Sequence, residues 1–365
     1  MAQEIIQQVR ELLKKVKYPG FSRDIVSFGF VKNIAECDGM VKVELRIAGV
    51  TDQVKTDLTH VITDTVNTLP GIKIVNVKYL DIPAPVSKPK TPGGDPWSEQ
   101  TAIPGIRAIV AVASGKGGVG KSTVAVNLAC ALGQLGYKTG LLDCDIYGPS
   151  IPIMMGTKKQ PEVVEDDMLV PISQYGLEIM SIGFLLNEDE PVIWRGPMIQ
   201  SAVKQFLKGV QWGELDFLIV DLPPGTGDAQ LSLAQMVPLT GTIIVSTPQD
   251  VALIDAKKGV NMFHKINVPV IGIVENMSYF LCPHCNERTD IFDSGGAKRE
   301  AERSKVPFLG AVPLDPEIRI GSDKGKPIVI SNPASPQAKI FMEIAEKTAE
   351  TVANMLAAKE AEVLK

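Results

Sequence analysis

The sequence contains little cysteine and no long apolar run. Five cysteines among 365 residues are too few for the disulfide framework of a secreted protein. No stretch reaches the roughly 18 apolar residues that predict a membrane span. The N-terminal residues MAQEIIQQVRELLKK lack the apolar core of a secretory signal. We therefore expect a reduced, cytoplasmic protein.

The sequence also lacks a basic excess. Lysine and arginine total 37 against 42 acidic residues, so the net charge is −5, which is not the balance of a dedicated nucleic-acid coat. From Ser335 onward there are four lysines and five glutamates, which does not fit a basic tail that binds membranes. Apolar residues make up 45% and charged residues 22%, and this composition predicts a folded protein rather than a disordered one. We expect neither a nucleic acid nor a membrane as a partner.

Changes in composition predict two domains and a linker. Helical spacing over 1–17 and 52–69, with apolar strands near 25–34, 41–47 and 72–79, predicts a small α+β domain over 1–82. Six prolines and a Gly-Gly pair within 83–104 predict an exposed linker.

The residues from 105 to 365 show a different pattern. Short, continuous apolar runs alternate here with helix-length segments, which predicts a doubly wound, mainly parallel sheet in an α/β domain. Ser335-Pro336 predicts the start of the last helix. The predicted strands are 108–113, 139–142, 177–182, 217–220, 242–246, 270–274 and 308–312.

A glycine-rich loop follows the first of these strands and matches the pattern G-x-x-x-x-G-K-[ST] in its required strand–loop–helix setting. The glycines allow backbone N–H groups to surround phosphates, and the helix that follows directs its positive end at them. We expect Lys121 to contact the β- and γ-phosphates and the Ser122 hydroxyl to bind Mg²⁺. The loop consists of Gly115, Lys116, Gly117, Gly118, Val119, Gly120, Lys121, Ser122 and Thr123.

Two further apolar runs end in aspartate. Asp143 and Asp145 end one run, and carboxylates at this end of a parallel strand lie beside the ligand crevice. We place Asp143 near the Mg²⁺ ion. Asp221 ends the other run in a Walker B pattern, so we expect it to hold Mg²⁺ through water. The segment 223–228 that follows contains two glycines and is predicted to be a mobile switch.

Cys282 and Cys285 enclose a Pro-His pair in a polar loop. Two thiolates at this spacing can hold one metal or one edge of a cluster, whereas a tetrahedral S₄ site needs four ligands. The chain has no second such pair, but a twofold dimer would supply it. A redox dithiol, a bridging zinc site and inert loop thiols remain alternatives. The other cysteines, Cys37, Cys130 and Cys144, show no ligand spacing.

The lysine at position 116 is unnecessary for cradling phosphate, and at this residue the chain resembles the deviant Walker A family of P-loop ATPases. That family includes the nitrogenase iron protein, septum-placing and chromosome-partitioning ATPases, and the Mrp/ApbC iron–sulfur carriers. The resemblance to the carriers covers roughly residues 105–355. It depends on four motifs in family order: the phosphate loop, Asp221-Leu-Pro-Pro-Gly-Thr-Gly-Asp, Trp194-Arg-Gly-Pro-Met and Cys-Pro-His-Cys.

The resemblance implies a role for each matching residue. It implies an ATP-sandwich homodimer in which Lys116 reaches the partner's nucleotide and Asp145 orients the attacking water. It also implies a [4Fe–4S] cluster bridged by Cys282 and Cys285 of both subunits. On the adenine side it implies that Asn276 recognises the base, with a second segment, Val312–Asp315, that includes Pro313 and Asp315.

The first 82 residues resemble the small domain that is often fused to such carriers and that also occurs alone in cluster-assembly factors. Many members carry a cysteine after the central strand, but the corresponding residues 47–53 here contain none. We therefore expect this domain to dock targets or assembly partners. The whole chain is interpreted as an ATP-dependent carrier, with slow ATP hydrolysis, that passes a cluster to apo iron–sulfur proteins and works with a cluster-assembly scaffold. The rival interpretations are a partitioning ATPase, a membrane-positioning ATPase and a zinc- or redox-regulated ATPase.

Overall fold

The computed structural model describes residues 2–17, 24–26, 30–37, 39–47, 52–80, 103–146, 148–164, 168–185, 196–227, 230–231, 234 and 236–363. Its contacts divide the chain into two compact units. The first contains Met1–Asp95, Val163–Leu169 and Leu185–Ala202, and the second contains the remaining residues. Most of the predicted linker lies outside the described residues, and the predicted domain boundaries at 82 and 105 stay a prediction.

The N-terminal part of the first unit is a three-stranded sheet with two helices. The elements are α1 (Ala2–Leu13), β1 (Val31–Cys37), β2 (Met40–Leu45), α2 (Asp52–Val66) and β3 (Ile74–Tyr79). β2 lies in the centre, antiparallel to β1 and parallel to β3. Residues at alternating positions of β2 and at helical spacing in α1 and α2 form the core: Val9, Leu13, Val41, Val43, Leu45, Leu58 and Ile62.

The prediction of a strand near 25–34 was wrong in its bounds. Ile25 and Val26 are both buried, but they lie in a turn, and the strand begins at Val31. The turn is held by a hydrogen bond from the Ile25 N–H to the Val16 carbonyl (2.9 Å) and by one from the Val26 N–H to the Asp24 carboxylate (3.0 Å). Two consecutive buried residues do not alternate between faces, so apolar content alone misplaced the strand.

The second unit contains one large sheet with helices along the chain between its strands. Its elements are β4 (Ile106–Ser114), α3 (Lys121–Gln134), β5 (Thr139–Asp143), α4 (Ile151–Met154), β6 (Ile172–Gln174), β7 (Leu177–Ser181), α5 (Gly196–Lys208), β8 (Leu215–Asp221), β9 (Gly241–Ser246), α6 (Asp250–Lys265), β10 (Val270–Glu275), β11 (Phe280–Leu281), β12 (Arg288–Thr289), α7 (Gly296–Ser304), β13 (Phe308–Ala311), α8 (Pro316–Asp323), α9 (Ile328–Ser331) and α10 (Pro336–Val363). The first residues of α5 belong to the other unit.

The strand order of this eight-stranded sheet is β13-β10-β9-β4-β8-β5-β7-β6. Each described pair is parallel except β6 with β7, which confirms the mainly parallel sheet. Each of the seven predicted strands corresponds to an observed one. β6 was not predicted because its three residues are too few to form an apolar run.

The topology brings the polar strand ends to one edge. Asp143 at the end of β5 and Asp221 at the end of β8 are register partners. β4, which ends at Ser114, pairs with the other side of β8, so the phosphate loop begins next to the strand of Asp221 and one strand away from that of Asp143. This placement follows from parallel pairing, since parallel strands end at the same side of a sheet.

The last helix begins where the sequence predicted. α10 starts at Pro336, and the Ser335 hydroxyl accepts a hydrogen bond from the Ala338 N–H at 3.1 Å. Within the described part of the chain, no helix combines the length and the apolar character that crossing a membrane requires.

Candidate nucleotide site and cysteine pair

The phosphate loop joins β4 to α3 and leaves its inner side open. Gly118 and Gly120 have φ angles of 81° and 79°, which favour glycine. A Cβ atom built on Gly117 or Gly118 would meet no atom within 4 Å, so backbone N–H groups at these positions remain accessible to phosphate. Lys116 is half-buried and forms no ion pair with any residue that the structure describes.

Lys121 lies at the centre of an acidic cluster. Its Nζ is 2.6 Å from Asp221 Oδ1, 3.3 Å from the Ser122 hydroxyl and 3.8 Å from Asp145 Oδ2. Lys121, with 6% exposed, is among the few buried lysines that proteins tolerate, and pairing with Asp221 offsets its desolvation. The predicted phosphate contact and the predicted Mg²⁺ ligands therefore meet within one cluster.

Asp143 is fully buried, and hydrogen bonds occupy both of its oxygens. Oδ1 accepts from the Asp145 N–H (3.0 Å), whereas Oδ2 accepts from the Ser181 hydroxyl (2.9 Å) and the Ile151 N–H (3.3 Å). Burial, followed by the negative charge of Asp221, raises the pKa of Asp143 to about 7. The structure thus places Asp143 beside the predicted Mg²⁺ site, where it also orients the Asp145 backbone.

Asp221 has one oxygen that is available to a cation. Its Oδ2 is buried and has no hydrogen-bond partner among the described residues, while its Oδ1 contacts Lys121. A buried carboxylate oxygen without a partner is costly, and oxygen is the ligand that Mg²⁺ prefers. The residues at this point fit a Mg²⁺ ion, with Ser122 close by across the Lys121 ammonium group.

The segment after β8 is attached to the end of β4, directly before the phosphate loop, and one of the residues involved, Gln230, was not indicated by the motifs. The Gly225 N–H donates to the Ser114 carbonyl at 2.9 Å. The buried Gln230 amide donates to the Pro223 carbonyl at 2.6 Å and to the Ser114 carbonyl at 3.3 Å. Asp228, the last residue of the predicted switch, lies outside the described residues.

A cleft of about 490 Å³ lies beside the phosphate loop. Four predicted nucleotide-binding residues, Thr123, Asn276, Pro313 and Asp315, line it. Leu314, which belongs to the predicted segment Val312–Asp315, and Met277, which follows Asn276, also line it. The other lining residues come from α8, α4 and the residue before α4, and sequence motifs did not indicate them: Ser150, Ile153, Met154, Ile318, Arg319, Ser322 and Asp323.

Asn276 connects this cleft to the phosphate loop. Its Nδ2 donates to the Val119 carbonyl at 2.9 Å, and a Cβ atom on Gly120 would lie only 2.1 Å from that nitrogen. Glycine at position 120 therefore permits both the left-handed backbone and the close approach of Asn276. The Asn276 side chain thus lines the cleft while it holds the loop, and its recognition of a base stays a prediction.

Asp315 lines the cleft with its side chain already engaged. Its Oδ1 caps α8 by accepting from the Glu317 N–H at 2.7 Å, and its Oδ2 accepts from the Gln337 amide at 2.6 Å. Asp315 thus shapes the cleft wall through α8, and Pro313 precedes it on the same wall.

Cys282 and Cys285 lie in the loop of a short hairpin formed by β11 and β12. The Cys282 N–H donates to the Glu287 carbonyl (3.0 Å), and the Asn286 N–H donates to the Cys282 carbonyl (2.8 Å). Cys285 is exposed and Cys282 half-buried. Hydrogen bonds from the backbone of His284 and then of Cys285 lower the pKa of the Cys282 thiol.

The hairpin provides only two thiols. Over the part of the chain that the structure describes, no group of three or more His, Cys, Asp or Glu side chains could hold a metal ion. The other cysteines lie outside this hairpin, and burial raises the pKa of Cys130 to about 12 and that of Cys144 well above its usual value. Trp194 and Arg195, which begin the motif Trp-Arg-Gly-Pro-Met, lie outside the described residues.

Comparison with known families divides the chain into two matches. Residues 105–349 match the model of the NUBPL iron-transfer P-loop NTPases, and residues 6–79 match the model of an iron–sulfur cluster assembly protein. The chain belongs to the NUBPL iron-transfer P-loop NTPase family.

Individual relatives agree with this assignment. The chain is 44% identical to the iron–sulfur cluster carrier protein of Aquifex aeolicus over 95% of its own length and 98% of the relative. It is 55% identical to the iron–sulfur cluster transfer protein NUBPL of Dictyostelium discoideum over 69% of its own length and 79% of the relative.

A solved structure of a nucleotide-binding protein from Archaeoglobus fulgidus in complex with ADP matches with a TM-score of 0.57 and 39% identity. It covers 67% of this chain and 94% of its own. Membership of this NTPase family confirms the P-loop fold and favours the carriers over the partitioning and positioning ATPases. The role of each site residue stays a prediction.

Proposed function

We propose that the protein is an ATP-dependent iron–sulfur cluster carrier. Its relatives bear the names of cluster carrier and transfer proteins. Its candidate nucleotide site combines an open phosphate loop, the Asp221 carboxylate with an oxygen available to a cation, and a cleft that could hold a base. The observation that carries the proposal is the hairpin with two accessible thiols, because thiolates are the ligands that iron–sulfur units prefer.

The number of cysteine ligands in one chain is the reason to propose a homodimer. One chain offers two thiols at this hairpin, and a twofold axis would bring four together around one [4Fe–4S] cluster. Lys116, which is half-exposed and forms no ion pair with the described residues, is available to a nucleotide on the partner subunit. A cluster held by thiols at the surface is open to transfer to apo iron–sulfur proteins, and a reducing compartment such as the cytoplasm keeps those thiols reduced.

The chemistry at the nucleotide site is ATP hydrolysis. Asp221 and Ser122 would hold Mg²⁺, which supplies positive charge beside the phosphates. Lys121 exchanges its contact with Asp221 for phosphate oxygens, and the backbone N–H groups of the loop bind the remaining charge. Asp145, whose backbone Asp143 fixes, orients the attacking water.

Anaerobic reconstitution tests the carrier function. We expect roughly four irons and as many sulfides per dimer in the wild type, and loss of both in Cys282→Ser with ATP binding retained. Cys37→Ser is the matched control, since Cys37 is also exposed but lies outside the hairpin, and it should load normally. Stoichiometric zinc without sulfide in the wild type would favour the zinc-regulated ATPase. Full loading of Cys282→Ser would refute the cysteine assignment.

A further inference from the structure

Glu275 is a buried carboxylate that neither the nucleotide chemistry nor the cysteine ligands explain. It is the last residue of β10 and has 0% of its surface exposed. Buried glutamates are rare because desolvation of the charge must be offset by partners. The partners of Glu275 therefore indicate what it does.

Among the described residues, three hydrogen bonds reach this carboxylate, and they come from the two ends of the segment 278–297, which contains the cysteine hairpin. Oε1 accepts from the Ser278 hydroxyl at 2.5 Å and from the Gly295 N–H at 2.8 Å, and Oε2 accepts from the Ala297 N–H at 2.7 Å. Ser278 precedes the hairpin that carries Cys282 and Cys285, whereas Gly295 and Ala297 follow it at the start of α7. One side chain thus closes the loop that presents the two thiols.

The neighbouring residue holds the nucleotide side. Asn276 follows Glu275 directly, lines the cleft and donates to the Val119 carbonyl of the phosphate loop. The Asn276 N–H in turn donates to the Ser246 carbonyl at 2.8 Å, which fixes this strand end to β9. Two consecutive side chains therefore point to the two sites, Asn276 to the phosphate loop and Glu275 to the cysteine hairpin.

The backbone provides a second connection between the cleft and the hairpin. The Ser278 N–H donates to the Val312 carbonyl at 2.9 Å, and the Leu314 N–H donates to the Tyr279 carbonyl at 2.7 Å. Leu314 lines the cleft, and Tyr279 is the residue immediately before β11. The stem of the hairpin is thus bonded to a wall of the cleft.

We propose that Glu275 is a positioning residue that fastens both ends of the segment 278–297, which contains the cysteine hairpin, to the strand that precedes Asn276, so that nucleotide binding and the order of the hairpin are linked. This inference rests on the proposed function, because it links the ATP-binding site to the two cysteines that would bind the cluster. Contacts alone do not measure coupling between two sites, so the test must detect it.

Glu275→Gln is the informative substitution. The carboxylate accepts three hydrogen bonds, but an amide offers one acceptor oxygen and turns an NH₂ group toward a donor. Glu300→Gln is the matched control, since Glu300 is also buried (6% exposed), lies in α7 and accepts from the Ser304 hydroxyl at 2.9 Å, with no bond to the hairpin segment.

Hydrogen exchange of the full-length, reduced protein without iron, measured with and without ATP–Mg²⁺, reports on both sites at once. In the wild type, nucleotide should slow exchange in a peptide over 278–295 as well as in the phosphate loop. In Glu275→Gln the hairpin peptide should exchange roughly ten- to a hundredfold faster, as expected for loss of hydrogen bonds to a buried charge. It should no longer respond to nucleotide, while the phosphate loop still does. Glu300→Gln should behave as the wild type.

The inference would be overturned if the hairpin peptide of Glu275→Gln exchanged at the wild-type rate. It would also be overturned if nucleotide did not change the exchange rate of the hairpin peptide in the wild type. If Glu275→Gln does not fold, Ser278→Ala removes one of the three hydrogen bonds and should speed hairpin exchange by a smaller factor, and no change there would also overturn it. The experiment contains no iron, so failure to bind a cluster refutes the proposed function without altering these outcomes.

Discussion

Gly120 combines a left-handed backbone with a close approach of the Asn276 side chain. Replacing single glycines of the phosphate loop by alanine separates the energetic effects of these two features. Alanine at position 120 would adopt a φ of 79° and place its Cβ 2.1 Å from Asn276 Nδ2. Position 118 has a φ of 81° but open space around a Cβ atom, and position 117 has the open space without a left-handed φ. We therefore expect alanine to cause no strain at position 117, backbone strain at position 118, and backbone strain together with displacement of Asn276 at position 120.

The expected magnitudes follow from these differences. A left-handed backbone costs a residue with a Cβ about 1–2 kcal/mol, less the roughly 0.4–1 kcal/mol that alanine gains over glycine in the unfolded chain. Gly120→Ala also displaces Asn276, which breaks its bond to the Val119 carbonyl and adds about 1–3 kcal/mol. We expect Gly117→Ala to be neutral or slightly stabilising, Gly118→Ala to cost about 1 kcal/mol, and Gly120→Ala to cost about 2–4 kcal/mol.

Thermal unfolding of the nucleotide-free protein measures this order. For a domain of this size about 1 kcal/mol corresponds to roughly 2–4 °C in Tm. Nucleotide is left out because a ligand that binds the folded protein adds its own contribution to the Tm. Equal Tm values for Gly118→Ala and Gly120→Ala would show that the Asn276 contact contributes nothing, and the reasoning about the close approach would fail.

Two further predictions concern charge. Lys121→Ala should lose most affinity for a fluorescent ATP analogue, whereas Lys116→Ala should keep more affinity but lose hydrolysis, and equal loss of binding in both would contradict the sandwich dimer. Without metal or nucleotide, the pKa of Asp143 in the folded protein is raised to about 7. The unfolded chain releases the proton of Asp143 near pH 4, whereas the folded protein keeps it up to about pH 7. The contribution of Asp143 to stability in urea should therefore fall as the pH rises from 4 to 7. The difference in stability between the wild type and Asp143→Asn should shift against the wild type over this range, and a difference that does not change with pH would refute the cause.

Sequence motifs could indicate the residues at the centre of the candidate nucleotide site because these residues are adjacent along the chain or end apolar strands. The phosphate loop is a continuous motif, and Asp143 and Asp221 are the last residues of their strands. The rule that indicated Asp221, a polar residue at the end of an apolar run, also applies to Glu275 at the end of β10. That residue was missed because no motif assigns a ligand to it.

The remaining walls of the cleft were not predictable from the sequence. Ser150 and Met154 precede Arg319 by well over a hundred residues, and only the packing of α4 near α8 brings them to one cleft. The hydrogen bond that the Asp315 side chain accepts from Gln337 was equally unpredictable, because Gln337 lies 22 residues later, in α10. Long-range contacts of this kind depend on topology rather than on local pattern.

The three carboxylates at the sheet edge show how the fold leaves one position for a ligand. Three donors satisfy Glu275, and three satisfy Asp143, whose negative charge the environment still disfavours. Asp221 has Lys121 on one oxygen and no described partner on the other. An unsatisfied buried polar atom costs about 1–3 kcal/mol, so the fold holds this carboxylate at a cost that a cation would offset. Because Lys121 is its counter-charge, a nucleotide that attracts Lys121 leaves Asp221 with a greater need for that cation. Binding of the phosphates and of Mg²⁺ should therefore be cooperative.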